Sequence, residues 1–169
     1  KELMERGVKV GADVPYCLLR GTALAEGIGD KLRSLPACPG CYVLIGKPGI
    51  SVSTKFVYEN LHADELKEHP NIDGMLEAIQ WHNLYKIADL MENVLETVTI
   101  PKYPVIQEIK DHMKDHGALN ALMSGSGPTV FGLFDDKHTA QQACEALRAS
   151  HLAKTVFLTT VFNNGGRRK

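Results

Sequence analysis

Ala118-Leu119-Asn120-Ala121-Leu122-Met123-Ser124-Gly125-Ser126-Gly127-Pro128-Thr129-Val130-Phe131-Gly132-Leu133-Phe134 is the stretch whose reading decides the fold. Two short apolar runs, 118–123 and 129–134, flank five residues of serine, glycine and proline. That pattern predicts a strand, a tight turn and an antiparallel partner strand. Downstream, Asp135 or Asp136 can cap a helix running to about Ser150, with Ala140, Ala143, Cys144 and Leu147 inward. Residues 155–162 follow as a β-branched strand. Upstream, Pro104 stands where a first helical position belongs and Gly117 just past the end, bracketing a helix with Val105, Ile106, Ile109 and Met113 in one stripe. Apolar positions from Met75 to Val98 repeat with helical period, which predicts one long amphipathic helix, open to a break near Asn83.

Tyr42-Val43-Leu44-Ile45-Gly46 reads as a strand closed by Lys47-Pro48-Gly49. Ser53 or Thr54 can cap a helix towards Asn60, and residues 61–73 read as a polar loop open to one helical turn. After residue 40 the expected order is therefore strand, three helices, two strands, helix, strand. It predicts an α+β fold, a two-layer, mostly antiparallel sandwich of ferredoxin-like type with helices on one face. Before residue 40, Lys1 to Arg6 read as the last turns of a helix closed by Gly7. Residues 16–35 alternate apolar runs with Gly21, Gly27 and Gly29 and are expected to be strand-rich. Residues 36–40 are the candidate linker, and 163–169 are expected to fray.

Composition bounds the function. Nineteen basic against twenty acidic residues give a net charge of -1, which offers nucleic acid or anionic membrane no broad attraction. No apolar run approaches the roughly 20 residues that span a bilayer. The opening residues are of mixed charge, unlike a secretory leader, and no N-x-S/T acceptor occurs, so the cytoplasm is the expected compartment. A charged helical start running at once into Gly7-Val8-Lys9-Val10-Gly11 reads as an interior segment of a longer protein. Cys38-Pro39-Gly40-Cys41 and His112 with His116 imitate zinc ligands, but some 70 residues separate the pairs and no second C-x-x-C exists. Free thiols and surface histidines are the plainer reading, and no metal site is expected.

Three segments depart from structural patterning. Asp13, in Gly11-Ala12-Asp13-Val14-Pro15, is either a helix cap or a positioned carboxylate able to act as a base. The glycine loop around Gly125, Ser126 and Gly127 is either a tight turn or a cradle of backbone N–H groups for phosphate. It has neither the Walker A nor the G-x-G-x-x-G pattern. Thr54 and Tyr58, four apart, share a helix face, either as cap and packed ring or as hydroxyl and ring for one ligand.

Together, Gly11-Ala12-Asp13-Val14-Pro15-Tyr16 running on to Gly29, Lys47-Pro48-Gly49-Ile50-Ser51-Val52-Ser53-Thr54, and Leu122-Met123-Ser124-Gly125-Ser126-Gly127-Pro128-Thr129-Val130-Phe131 resemble the GHMP kinase superfamily. The third looks like its third conserved motif, and the first two resemble the members that act on 4-diphosphocytidyl-2-C-methyl-D-erythritol in the non-mevalonate isoprenoid route. The resemblance implies ATP-dependent phosphorylation of an alcohol. It implies that Asp13 is the catalytic base, that Ala12, Thr54 and Tyr58 contact substrate, and that Gly125, Ser126 and Gly127 close the site beside the phosphates. The family's amino-terminal phosphate loop and lysine have no counterpart in these 169 residues. The chain therefore resembles the carboxy-terminal portion: residues 1–36 a β-rich remnant of the first domain, 37–169 the second domain. ATP and Mg2+ would then be held mainly by the other half, and the isolated chain would be inactive. Other readings are a homoserine- or mevalonate-type kinase, or a non-catalytic ferredoxin-like binding module.

A severed first domain leaves sheet edges without neighbours, and such edges pair with other copies. Self-association through residues 16–35 is therefore expected, as a concentration-dependent dimer in sedimentation velocity. A monomer at every concentration would count against it.

Overall fold

The computed structural model describes residues 6–7, 9–11, 13–62, 66 and 69–162. The expected helical turns over residues 1–5, the tail 163–169 and Ala12 lie outside them. Pro15 starts α1 (Val14–Leu19), in the first turn where its missing N–H costs nothing. The strand-rich expectation is thereby corrected for Tyr16, Cys17, Leu18 and Leu19, which are helical. Arg20 (φ 61) and Gly21 (φ 75) end the helix. The chain then forms the hairpin expected for the rest of the segment, β1 (Ala23–Glu26) against β2 (Lys31–Ser34). Residues 36–40, the candidate linker, are tethered. Cys38 N–H donates to Thr22 Oγ1 at 3.0 Å, and Leu35 and Cys38 pack on Ala78, Ile79 and Ile87.

β3 (Tyr42–Lys47) lies inside the main sheet, antiparallel to β5 (Val130–Phe134) on one side and β6 (Thr155–Thr160) on the other. β4 (Asn120–Met123) pairs with β5 at the edge, giving the order β4-β5-β3-β6. Counted in chain order within this sheet, that is 2-3-1-4, with every pair antiparallel: the expected ferredoxin-like arrangement. Successive side chains alternate faces. Leu44, Val130 and Phe134 point to the face covered by α6 (Val105–Asp115) and α7 (Lys137–Ser150), where they meet Ile106, Ile109, Met113 and Leu147, all 0% exposed. Burying side chains of this size contributes about 1.5–3 kcal/mol each.

The single helix expected over Met75 to Val98 is corrected to three: α3 (Ile72–Gln80), α4 (Leu84–Asp89) and the start of α5 (Glu96–Lys102). The break at Asn83 is local chemistry. Its Oδ1 accepts from Lys86 N–H at 3.0 Å and restarts the helix as a cap. The second break, over residues 90–95, was not foreseen. Asn93 Oδ1 there accepts from Leu95 N–H at 3.0 Å, turning the backbone out of helical bonding. α2 (Thr54–Glu59) precedes these, so among the described residues five helices separate β3 from β4 where three were expected. Pro104 sits at the N-cap of α6, one residue before the expected helical position. Helices are not confined to one face either. Leu84 of α4, with Met91, covers Cys41, Val43, Phe131 and Leu133 on the opposite side. Among the described residues no helix is long and apolar enough to cross a membrane.

Between α6 and α7, His112 Nε2 is enclosed with no hydrogen-bond partner among the described residues. Burial and the His116 ring lower its pKa below 6.5, against weaker opposing pulls from the Ala146 backbone and Asp115. The unfolded chain then takes up this proton first as pH falls, so the native state loses stability below 6.5 until the lowered value is passed. Urea unfolding at pH 7.5 and 5.5 is expected to show an acid loss that His112→Phe reduces. Equal losses in both proteins would overturn the assignment.

Candidate active site

Gly46 of β3 pairs with Val130, the first residue of β5. The chain leaving β3 towards α2 therefore departs beside the point where the glycine loop enters β5. Ser53 is the cap of α2, its Oγ accepting from Phe56 N–H at 3.2 Å. That leaves the Thr54 hydroxyl uncommitted to the helix, and it meets Ser126 Oγ at 2.9 Å, across 72 positions of sequence. Tyr58, one turn further on the same face, is 60% exposed and presents its ring to solvent.

The loop itself is a compact turn. Ser124 N–H donates to the Thr129 carbonyl at 2.8 Å and Gly127 N–H to the Ser124 carbonyl at 3.0 Å. Gly125 (φ 56) and Gly127 (φ 86) both occupy the left-handed region. A Cβ on Gly127 would lie 2.6 Å from Met123 Sδ, whereas one on Gly125 would meet nothing within 4 Å among the described residues. Gly127 is thus demanded by packing as well as by the turn. Gly125 leaves space over the backbone, which suits an oxygen-rich ligand accepting from N–H groups.

Four residues that the sequence reading missed hold this loop. Asn93 Nδ2 donates to the carbonyls of Met123 and Gly125, each at 2.8 Å. Glu96 Oε1 accepts from Met123 N–H at 2.8 Å, and its Oε2 takes Lys110 Nζ at 2.5 Å. Thr99, fully buried, donates from Oγ1 to the Ser126 carbonyl at 3.3 Å. The Glu96 and Lys110 side chains are only 15% and 11% exposed, and losing one partner of such a pair costs about 3–5 kcal/mol. A cleft of about 480 Å³ opens beside them, lined by Met91, Asn93, Glu96, Lys110, Asn120 and Leu122. One signal was readable: Lys110 places a charge on the stripe of Ile106, Ile109 and Met113.

Asp13 is exposed at the N-cap of α1, with helical backbone (φ -84, ψ -11) and no bond from its carboxylate to the first-turn amides. The cap reading of Asp13 does not hold. Among the described residues it makes no hydrogen bond to Thr54, Tyr58 or the loop, so the structure joins two of the three segments directly and leaves the third on α1. Ala12, the remaining substrate-contact expectation, lies outside the described residues. The Cys38 and Cys41 thiols are poorly suited to nucleophilic or metal chemistry: burial, with a smaller contribution from Cys38, pushes Cys41 up to about 11, and burial raises Cys38 too. Among the described residues no three His, Cys, Asp or Glu side chains are grouped to hold a metal ion.

Residues 67–153 match the family described as GHMP kinases, C terminal. A 4-diphosphocytidyl-2-C-methyl-D-erythritol kinase of Lachnoclostridium phytofermentans is 58% identical over 164 residues, covering 97% of this chain and 56% of that protein. The crystal structure of a 4-(cytidine 5'-diphospho)-2C-methyl-D-erythritol kinase superposes with a TM-score of 0.79 at 30% identity, over 96% of this chain and 57% of the other. A homoserine kinase from Cytophaga hutchinsonii, at 22% identity and TM-score 0.70, covers 89% of this chain and 50% of its own, and shares the fold. The chain spans about half the length of the curated relatives it matches.

The two loop glycines separate turn strain from packing. Gly125→Ala is expected to cost about 1–2 kcal/mol for a left-handed non-glycine residue. Gly127→Ala is expected to cost more, by about 1–3 kcal/mol of overpacking against buried Met123. Denaturant midpoints of the two variants give the order, and equal losses would contradict the close approach at Met123.

Proposed function

The chain belongs to the GHMP kinase C-terminal family, and from that premise we propose that it is the substrate-side part of an ATP-dependent kinase for the 2-hydroxyl of 4-diphosphocytidyl-2-C-methyl-D-erythritol. The observation that carries the proposal is the 2.9 Å contact between Thr54 and Ser126. It joins the segment read as substrate-contacting to the segment read as phosphate-facing, as a kinase for a phosphate-bearing substrate requires. The names of the similar kinases supply the substrate.

In this reading residues 1–36 end an amino-terminal domain and 37–169 form the second domain, the division falling in the tethered segment at 36–40. Tyr58 stacks on the cytosine ring and Thr54 faces the same ligand. Ala12 contacts substrate beside Asp13. The Asp13 carboxylate, unspent as a cap, accepts the proton of the substrate hydroxyl as that oxygen attacks the γ-phosphorus of ATP, and ADP leaves. Gly125, Ser126 and Gly127 face the phosphates. Open space above Gly125 fits the phosphate end of ATP, and its Mg2+ is held largely by the amino-terminal part of the longer enzyme. Bound magnesium would neutralise phosphate charge. The compartment is the cytoplasm, and exposed Tyr16, Leu18 and Ile28 support self-association through residues 16–35. A homoserine-type substrate has no base for Tyr58 to stack on, which favours the cytidine ligand.

The test is calorimetric titration of the chain with 4-diphosphocytidyl-2-C-methyl-D-erythritol, followed by turnover once the amino-terminal half of a similar kinase is added. Saturable binding weakened about tenfold or more by Tyr58→Ala is expected, since stacking on a base is worth roughly 1–3 kcal/mol. Asp13→Asn is expected to slow the complemented enzyme by about 10²–10⁴-fold, the usual yield of a general base. A silent complemented enzyme beside an active full-length control would refute the assignment.

A further inference from the structure

We propose that Asn93 and Glu96, the latter held by Lys110, are positioning residues that aim the Ser126 amide N–H out of the glycine loop as an anion donor. The ligand, a phosphate group, rests on the kinase reading above; the bracket itself does not.

The carbonyls of Met123, Gly125 and Ser126 are all drawn towards residues 93–99, two by Asn93 and one by Thr99. In a trans peptide the carbonyl and the following N–H point in opposite directions. A Gly125 carbonyl held at Asn93 therefore directs the Ser126 N–H away from Asn93. Ser124 and Gly127 spend their N–H groups on the Thr129 and Ser124 carbonyls. Among the described residues the Ser126 N–H has no acceptor. The space over Gly125 beside it is open.

The bracket is itself fixed. Asn93 Oδ1 is occupied by Leu95 N–H at 3.0 Å, so the amide NH2 can only face the loop. Glu96 pins the entry of the loop through Met123 N–H, and Lys110 holds its other oxygen. None of the three bonds the side chains of Thr54, Tyr58 or Asp13 in the described residues. They act through the loop and not on the ligand.

Amide hydrogen exchange in the whole chain and turnover of the complemented enzyme test this together. Asn93→Ala is expected to speed exchange at Ser124 and Gly127 at least about tenfold, the effect of losing one or two such bonds. The Leu44 amide in β3 should not change. Turnover should fall at least about tenfold with the KM for the cytidine substrate unchanged. Glu96→Gln with Lys110→Met keeps an acceptor for Met123 N–H and should retain loop protection; Glu96→Leu with Lys110→Met should lose it. Unchanged loop exchange in Asn93→Ala, or a loosened loop with undiminished turnover, would overturn the proposal. If the unsubstituted complemented enzyme is inactive, the kinase reading fails, and the exchange rates still decide the bracket.

Discussion

The Glu96 carboxylate sits between a backbone amide and a lysine, and much of the molecule is arranged around that position. β4 is an edge strand, so its outward N–H groups have no ladder partner. Buried donors left unmatched are costly. Two are satisfied by side chains: Ala121 N–H by Asn120 Oδ1 at 2.8 Å, and Met123 N–H by Glu96 Oε1 at 2.8 Å. The second solution buries a carboxylate, which must then have a counter-charge. Lys110 supplies it from the face of α6 that also packs Ile106 and Ile109 into the core. One ion pair thereby locks α5, α6 and the edge strand together, and blunts an edge that could otherwise pair with another chain. The pair need not add net stability to do this, because its value lies in the arrangement that breaking it would forbid.

That lock matters because the glycine loop hangs between the two strands it serves. Val130 and Phe134 anchor β5 in the core at 0% exposure, and Met123 anchors the end of β4 at 1%. A loop with both ends on buried strands is carried by the rigid part of the fold, which preorganises its backbone N–H groups. The antiparallel register then brings the end of β3 beside the start of β5, so α2 and its Thr54 have a short path to the loop.

Much of this was legible along the chain, and the reasons are local. The strands at Tyr42, Val130 and Thr155 are short apolar or β-branched runs, the helices at Val105 and Lys137 carry period-3.6 patterns, and Asp136 and Ser53 are side-chain caps whose partners lie three residues away. The two misjudged stretches fail for different reasons. Pro15 opens a short helix where glycine spacing suggested strands. Apolar periodicity continues through residues 90–95 although Asn93 has diverted the backbone there. Periodicity reports which residues are inward and is silent on whether the backbone between them is unbroken. Glu96, Asn93, Thr99 and Lys110 were passed over because each is an ordinary polar residue in its own helix or turn, and only its partner makes it unusual.

The sequence by itself determined the succession of strands and helices from Tyr42 onward in outline, the inward faces of the helices at Val105 and Lys137, and the segments around Asp13, Thr54 and Ser126 that resemble a kinase, because these depend on neighbours within a few residues and on motif identity. Only the tertiary structure decided that Thr54 meets Ser126, that Asn93, Glu96 and Lys110 converge behind the glycine loop, and that the Asp13 carboxylate is not spent as a cap. The first two depend on contacts between residues 14 to 72 positions apart, which no local pattern encodes, and the third on the helical backbone Asp13 adopts at the start of its helix.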